Sequence, residues 1–60
     1  MILIVNKKDG QICEWMLRSG EWEVKPITYE MDKGGIHIFE GCKEEISYPF
    51  TDIQSIEVMR

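Results

Sequence analysis

No long hydrophobic run occurs in this chain. Its longest uninterrupted apolar stretch is Met1 to Val5, far too short to span a bilayer or to form the core of a secretory signal. The basic residues that precede such a core are missing as well, since Lys7 and Lys8 come after it. The expected setting is therefore the cytoplasm, with no membrane attachment. Basic charge is scarce too. Seven Lys and Arg face eleven Asp and Glu, which leaves a net charge of −4. Binding phosphates normally needs a basic surface, so nucleic acid is disfavoured as a partner, and so are anionic membranes. An acidic surface of this kind keeps a small protein in solution. Its sharper use is as a decoy for the basic groove of another protein.

Cysteine and histidine are rare. Cys13 and Cys42 allow one disulfide; without an export signal both are expected as reduced, buried thiols. No Cys-x-x-Cys pair is present. Cys13, His37 and Cys42 offer three soft ligands at a spacing that matches no common zinc site, and a structural zinc wants four. No metal is expected, and no cofactor. Gly34-Gly35 lacks the Lys-Ser or Lys-Thr pair of a phosphate-binding loop and reads as a hairpin turn. His37, the one histidine, would need a cleft and an orienting group to act as a general base. The carboxylates Glu14, Glu21, Glu23, Glu30 and Glu40 could pair across strands, a pattern that surface charge produces equally well. These absences point away from an enzyme.

What the chain does contain is strand signal punctuated by glycine. Met1 to Asn6 is apolar on both faces, the mark of a central or doubly covered strand. Lys7 to Gly10 reads as a turn. Gln11 to Arg18 alternates, with Cys13, Trp15 and Leu17 on one face and Ile12, Glu14 and Met16 on the other. It also permits a short helix. Ser19-Gly20 marks a further turn. Glu21 to Met31 alternates again, Ile27, Tyr29 and Met31 opposing Trp22 and Val24, with Pro26 as an edge or a break. Asp32 to Gly35 is a clear turn, and Ile36 to Glu40 a short strand ended by Gly41. Glu45 to Phe50 and Ile53 to Met59 complete the set, joined by a tight turn at Thr51-Asp52; a single turn near residues 41–45 is the other place for helix.

Residues 1–60 are thus expected to form one all-β domain. The architecture is a small antiparallel meander or half-closed barrel of five or six short strands, with at most one short helix.

Two local likenesses accompany this reading. Met1 to Gly10 resembles the start of the carbon storage regulator family, small intertwined β-dimers that bind RNA. The likeness covers about ten residues. The rest of the chain lacks that family's central strand pattern and basic RNA-binding end, so the function is not carried over. Tyr48 to Val58 resembles the turn and Ile-x-x-Ile-x-Val strand of many small barrels and bacterial PH-like domains, without the terminal helix of the latter.

Six aromatics remain to be placed. A domain this small fills its core with a few of them, and an exposed one rimmed by polar groups is a frequent binding anchor. Trp22, set between Glu21 and Glu23 beside a turn, is the candidate, with those glutamates as its rim; a place in the core is the other reading of this residue. The function expected is that of a non-enzymatic protein-binding module or small regulator or inhibitor. Phages and mobile elements often encode acidic chains of this size to such ends, a general association rather than a deduction from these residues. The alternatives are a nucleic-acid-binding small β-barrel whose lysines gather in space, and an oligomeric small-ligand binder. A second subunit is also expected, because about 60 residues bury too little apolar surface to offset the entropy of ordering. A homodimer would pair through a terminal strand, with Ile2, Ile4, Ile56 and Val58 as the candidate interface.

Overall fold

The computed structural model describes residues 1–60. Six strands follow in order: β1 (Ile2–Lys7), β2 (Ile12–Met16), β3 (Ile27–Met31), β4 (Gly35–Glu40), β5 (Lys43–Pro49) and β6 (Ile53–Met59). One 3-10 turn, Phe50–Asp52, links β5 to β6. The strands make two three-stranded antiparallel sheets, ordered β2-β1-β6 and β3-β4-β5. The fold is all-β as the sequence indicates, and its two sheets do not close into a barrel. Residues 12–16 are strand rather than helix. Residues 43–45, where a helical turn was an alternative, also lie in a strand.

β1 occupies the centre of its sheet, which is why it is apolar on both faces. Leu3 and Val5 point inward and are fully buried; Ile2 and Ile4 point outward and are half-buried. The register places Trp15 and Val58 beside Leu3, and Cys13 and Ile56 beside Val5, so these share the inner face. In the second sheet the inner face carries Ile36 and Ile38, flanked by Tyr48 and Ile46 on β5 and by Met31 and Tyr29 on β3. The resulting core joins Leu3, Val5, Ile27, Ile36, Ile38, Tyr48 and Ile53. Only 8 of 60 residues are buried, which leaves most strand residues one exposed face.

Two irregularities decide which side chains reach that core. The β1–β6 register slips between Asn6 and Lys7, so that Lys7 faces Ile53 while Asn6 faces Ser55. The extra residue, Gln54, turns Ile53 back to the inner face, against simple alternation from Ile56. A similar slip opposite Ile38 and Phe39 leaves Glu45 as the extra residue on β5. The turns follow from their residues. Asp32 Oδ1 accepts from the Gly34 and Gly35 N–H groups at 2.7 and 3.0 Å, and Gly10 takes a φ of 92° after Asp9. Gly35 is required for another reason: a Cβ there would overlap the carbonyl oxygen of Tyr48 on the neighbouring strand.

The long strand expected over residues 21–31 is corrected to Ile27–Met31. Its partner β4 ends at Glu40, which pairs with Ile27. Gly41 then turns away with a φ of 63°, and its N–H closes on the Pro26 carbonyl at 2.8 Å. Beyond that bond no neighbouring strand backbone is left for residues 19–25 to pair with.

Candidate functional site

Residues 19–26 form an arm that leaves one sheet and enters the other. Its base is an isolated two-residue bridge. The Arg18 N–H donates to the Ile27 carbonyl at 3.0 Å, and the Ile27 N–H donates back at 2.8 Å. Within the arm one hydrogen bond, from the Glu23 N–H to the Gly20 carbonyl at 3.2 Å, bends the tip. Trp22 is 92% exposed and Val24 91% exposed. The sequence pattern left Trp22 open between core and surface; its place on an unpaired arm puts it outside the core. Glu21 and Glu23 stand exposed on either side of it. Neither is ion-paired, because the ion pairs of this chain lie at Lys7–Asp9 and around His37. Glu21, Trp22 and Glu23 are therefore three consecutive exposed residues of the arm.

The other tryptophan has the opposite surroundings. Trp15 is half-buried on the inner face of β2, and its indole N–H donates to the Tyr48 hydroxyl at 3.1 Å. Burial pushes the Tyr48 phenol above its usual 10.0, and the adjacent Cys13 pushes it the same way. It stays a neutral hydroxyl inside the structure.

A second polar cluster lies on the outer face of β3-β4-β5. His37 Nδ1 is 2.6 Å from Glu44 Oε1, and Nε2 is 2.8 Å from Asp32 Oδ2. Both ring nitrogens face carboxylates, an arrangement that favours the protonated ring, which donates at each. Glu44 first, then Asp32, lift its pKa above 6.5. Asp32 is pulled below 3.8, chiefly by the Gly34 N–H and then by His37. While the ring is protonated, neither nitrogen can take a further proton. The sequence pattern had His37 as a half-exposed strand histidine, which it is, but did not bring Glu44 to it. That contact depends on the slip around Glu45, which no local pattern marks.

The remaining sites separate. Ile2 and Ile4 lie on the outer face of their sheet, while Ile56 and Val58 lie on the inner one, so the four do not share a surface. The expectation of two buried thiols is corrected. Cys13 is half-buried against the core, but Cys42 is exposed, because it sits in the tight β4–β5 turn with no layer above it. Cys13, His37 and Cys42 fall on an inner face, an outer face and a turn, and no group of three His, Cys, Asp or Glu is disposed to hold a metal. The lysines divide between two ends. Lys7 ends β1, and Lys8 and Lys33 lie in turns, at the end carrying the 3-10 turn, since the Lys8 N–H bonds Asp52 and the Phe50 N–H bonds Gly34. Lys25 and Lys43 lie at the opposite end. No helix is long and apolar enough to cross a membrane. In comparisons with known protein families, with curated proteins and with solved structures, the chain finds no match.

Proposed function

We propose that this protein is a non-enzymatic protein-binding module, a small regulator or inhibitor that works in the cytoplasm by surface complementarity. Trp22 is its anchor, and Glu21 and Glu23 are the acidic rim. The observation that carries the reading is the exposure of Trp22, 92% in a domain that buries only 8 of its 60 residues. A large aromatic left in water gains free energy when a partner's pocket takes it up, and aromatic anchors of this kind dominate interface energetics. Unpaired glutamates on each side select a pocket with basic edges and speed encounter with it.

The test is affinity capture from the native host with the wild-type chain, Trp22→Ala and the double variant Glu21→Gln/Glu23→Gln. A specific partner retained by the wild type, lost with Trp22→Ala and held less firmly by the double variant supports the proposal. The anchor should account for about 2 kcal/mol or more of the binding free energy. Retention that is equal for a folded Trp22→Ala chain would overturn it.

A further inference from the structure

The direction of the backbone groups along β1 identifies an open edge. Lys7 donates its N–H to Gln11, and Met1 accepts from the Leu17 N–H, both at 2.9 Å. The odd-numbered residues of β1 therefore turn their backbone groups toward β2, and Ile2, Ile4 and Asn6 turn theirs toward β6. Their partners Met59, Glu57 and Ser55 point back at β1. Ile56 and Val58 must then aim their N–H and C=O groups away from the sheet, at an edge with no neighbour.

The other three edges are obstructed. On β5, Pro49 has no N–H to give. On β3, the outward groups of Ile27 are already taken by Arg18, which leaves only Tyr29 and Met31 to offer an edge. On β2, the outward residues are Ile12, Glu14 and Met16, centred on Glu14. Two copies meeting there in full overlap would set Glu14 against Glu14, and like charges directly opposite are destabilising.

β6 has neither a proline nor a charged residue at its centre, and its bulge at Gln54 lies toward one end, leaving Ser55–Met59 regular. Its outward residues centre on Ile56. A two-fold axis at that point pairs Ile56 with Ile56 of a second copy and Val58 with Gln54. It sets Ser55 beside Glu57 and keeps the two Glu57 side chains apart. The inward side chain of Val58, 43% exposed in one copy, gains cover at the same time. Surface is available for this. The chain exposes 4599 Å², whereas a compact monomer of its mass exposes about 4100 Å².

We infer that β6 is a self-association edge, joining two copies of this chain antiparallel about Ile56 into one sheet ordered β2-β1-β6-β6-β1-β2. The pairing is separate from the Trp22 tip, which lies on the arm between β2 and β3.

Two measurements test it. The first is sedimentation equilibrium from micromolar to millimolar concentration, on the wild type and on Val58→Pro. The Val58 N–H faces away from β1, so proline there removes an edge donor and leaves the β1–β6 ladder whole. The second is amide hydrogen exchange on the wild type over the same range, which needs no variant to fold. A concentration-dependent dimer mass, with exchange at Ile56 and Val58 slowing at least tenfold as the dimer fills, supports the inference. So does a folded Val58→Pro that stays at 7.1 kDa. A wild type at monomer mass throughout overturns it. A dimer that persists in Val58→Pro, or forms while Ile56 and Val58 exchange freely, also overturns it.

Discussion

The Trp15 indole N–H and the Tyr48 hydroxyl, 3.1 Å apart, form the one side-chain hydrogen bond between the two sheets. β2 and β5 share no ladder, so this bond, the Arg18–Ile27 backbone bridge and the apolar core hold the sheets together. Replacing Tyr48 by Phe leaves the indole without its partner. A double-mutant cycle with Trp15→Phe and Tyr48→Phe should give a coupling of about 0.5–1.5 kcal/mol. Urea denaturation of the four chains measures it, and a coupling of zero would mean the bond adds nothing to the docking of the sheets.

Trp22→Ala should leave stability within about 0.5 kcal/mol of the wild type. A buried aromatic truncated in the same way loses about 3–5 kcal/mol. The same urea midpoints decide this, and a loss in the larger range would place Trp22 in the core.

Gly34 and Gly35 are adjacent and differ sharply. Gly35→Ala drives a methyl into the Tyr48 backbone and should cost about 1–3 kcal/mol or more. The nearest atom to a Cβ on Gly34 is Asp32 Oδ1 at 3.4 Å, so Gly34→Ala should be far milder. Thermal melts of the two variants that coincide would contradict the close approach of β4 and β5 at Gly35.

The charged pin at His37 makes stability depend on pH. Because its folded pKa lies above 6.5, the contribution is complete below that value and is lost as pH rises through the folded one. Asp32, depressed below 3.8, holds its contribution above that value and loses it as pH falls through the depressed one. Glu30, opposite His37 on β3, adds a third acidic neighbour. The urea midpoint should therefore fall as pH rises above 6.5. His37→Gln should flatten that slope; an unchanged slope would assign the titration to another group.

The thiols should react at different rates. Cys42 is exposed and Cys13 half-buried, and access to reagent limits the rate at which a thiol is modified. An aromatic disulfide reagent should modify one thiol quickly in the native state and the second only slowly or on unfolding. Equal rates would contradict the packing of Cys13 on the inner face.

Much of the fold was legible because strand and turn signals are local. Double-sided apolarity put Ile2 to Val5 in the middle of a sheet, alternation separated Trp15 from Met16, and Asp-Gly chemistry marked the turns at Gly10 and Gly34. What failed depended on a partner elsewhere in the chain. Trp22 and Val24 alternate with their neighbours like a strand, yet a strand needs a second backbone, and β4 stops opposite Ile27. Ile53 comes inward only through the slip at Gln54, and Glu44 reaches His37 only through the slip at Glu45. Ile2, Ile4, Ile56 and Val58 look equivalent in sequence, but pairing sets the first two outward and the last two inward. Periodicity by itself determined which residues could be strand, because pleating is a property of consecutive residues. Which edge stayed open, which tryptophan stayed in water and which carboxylates met the histidine were decided only by tertiary structure, because register is a relation between segments distant in the chain.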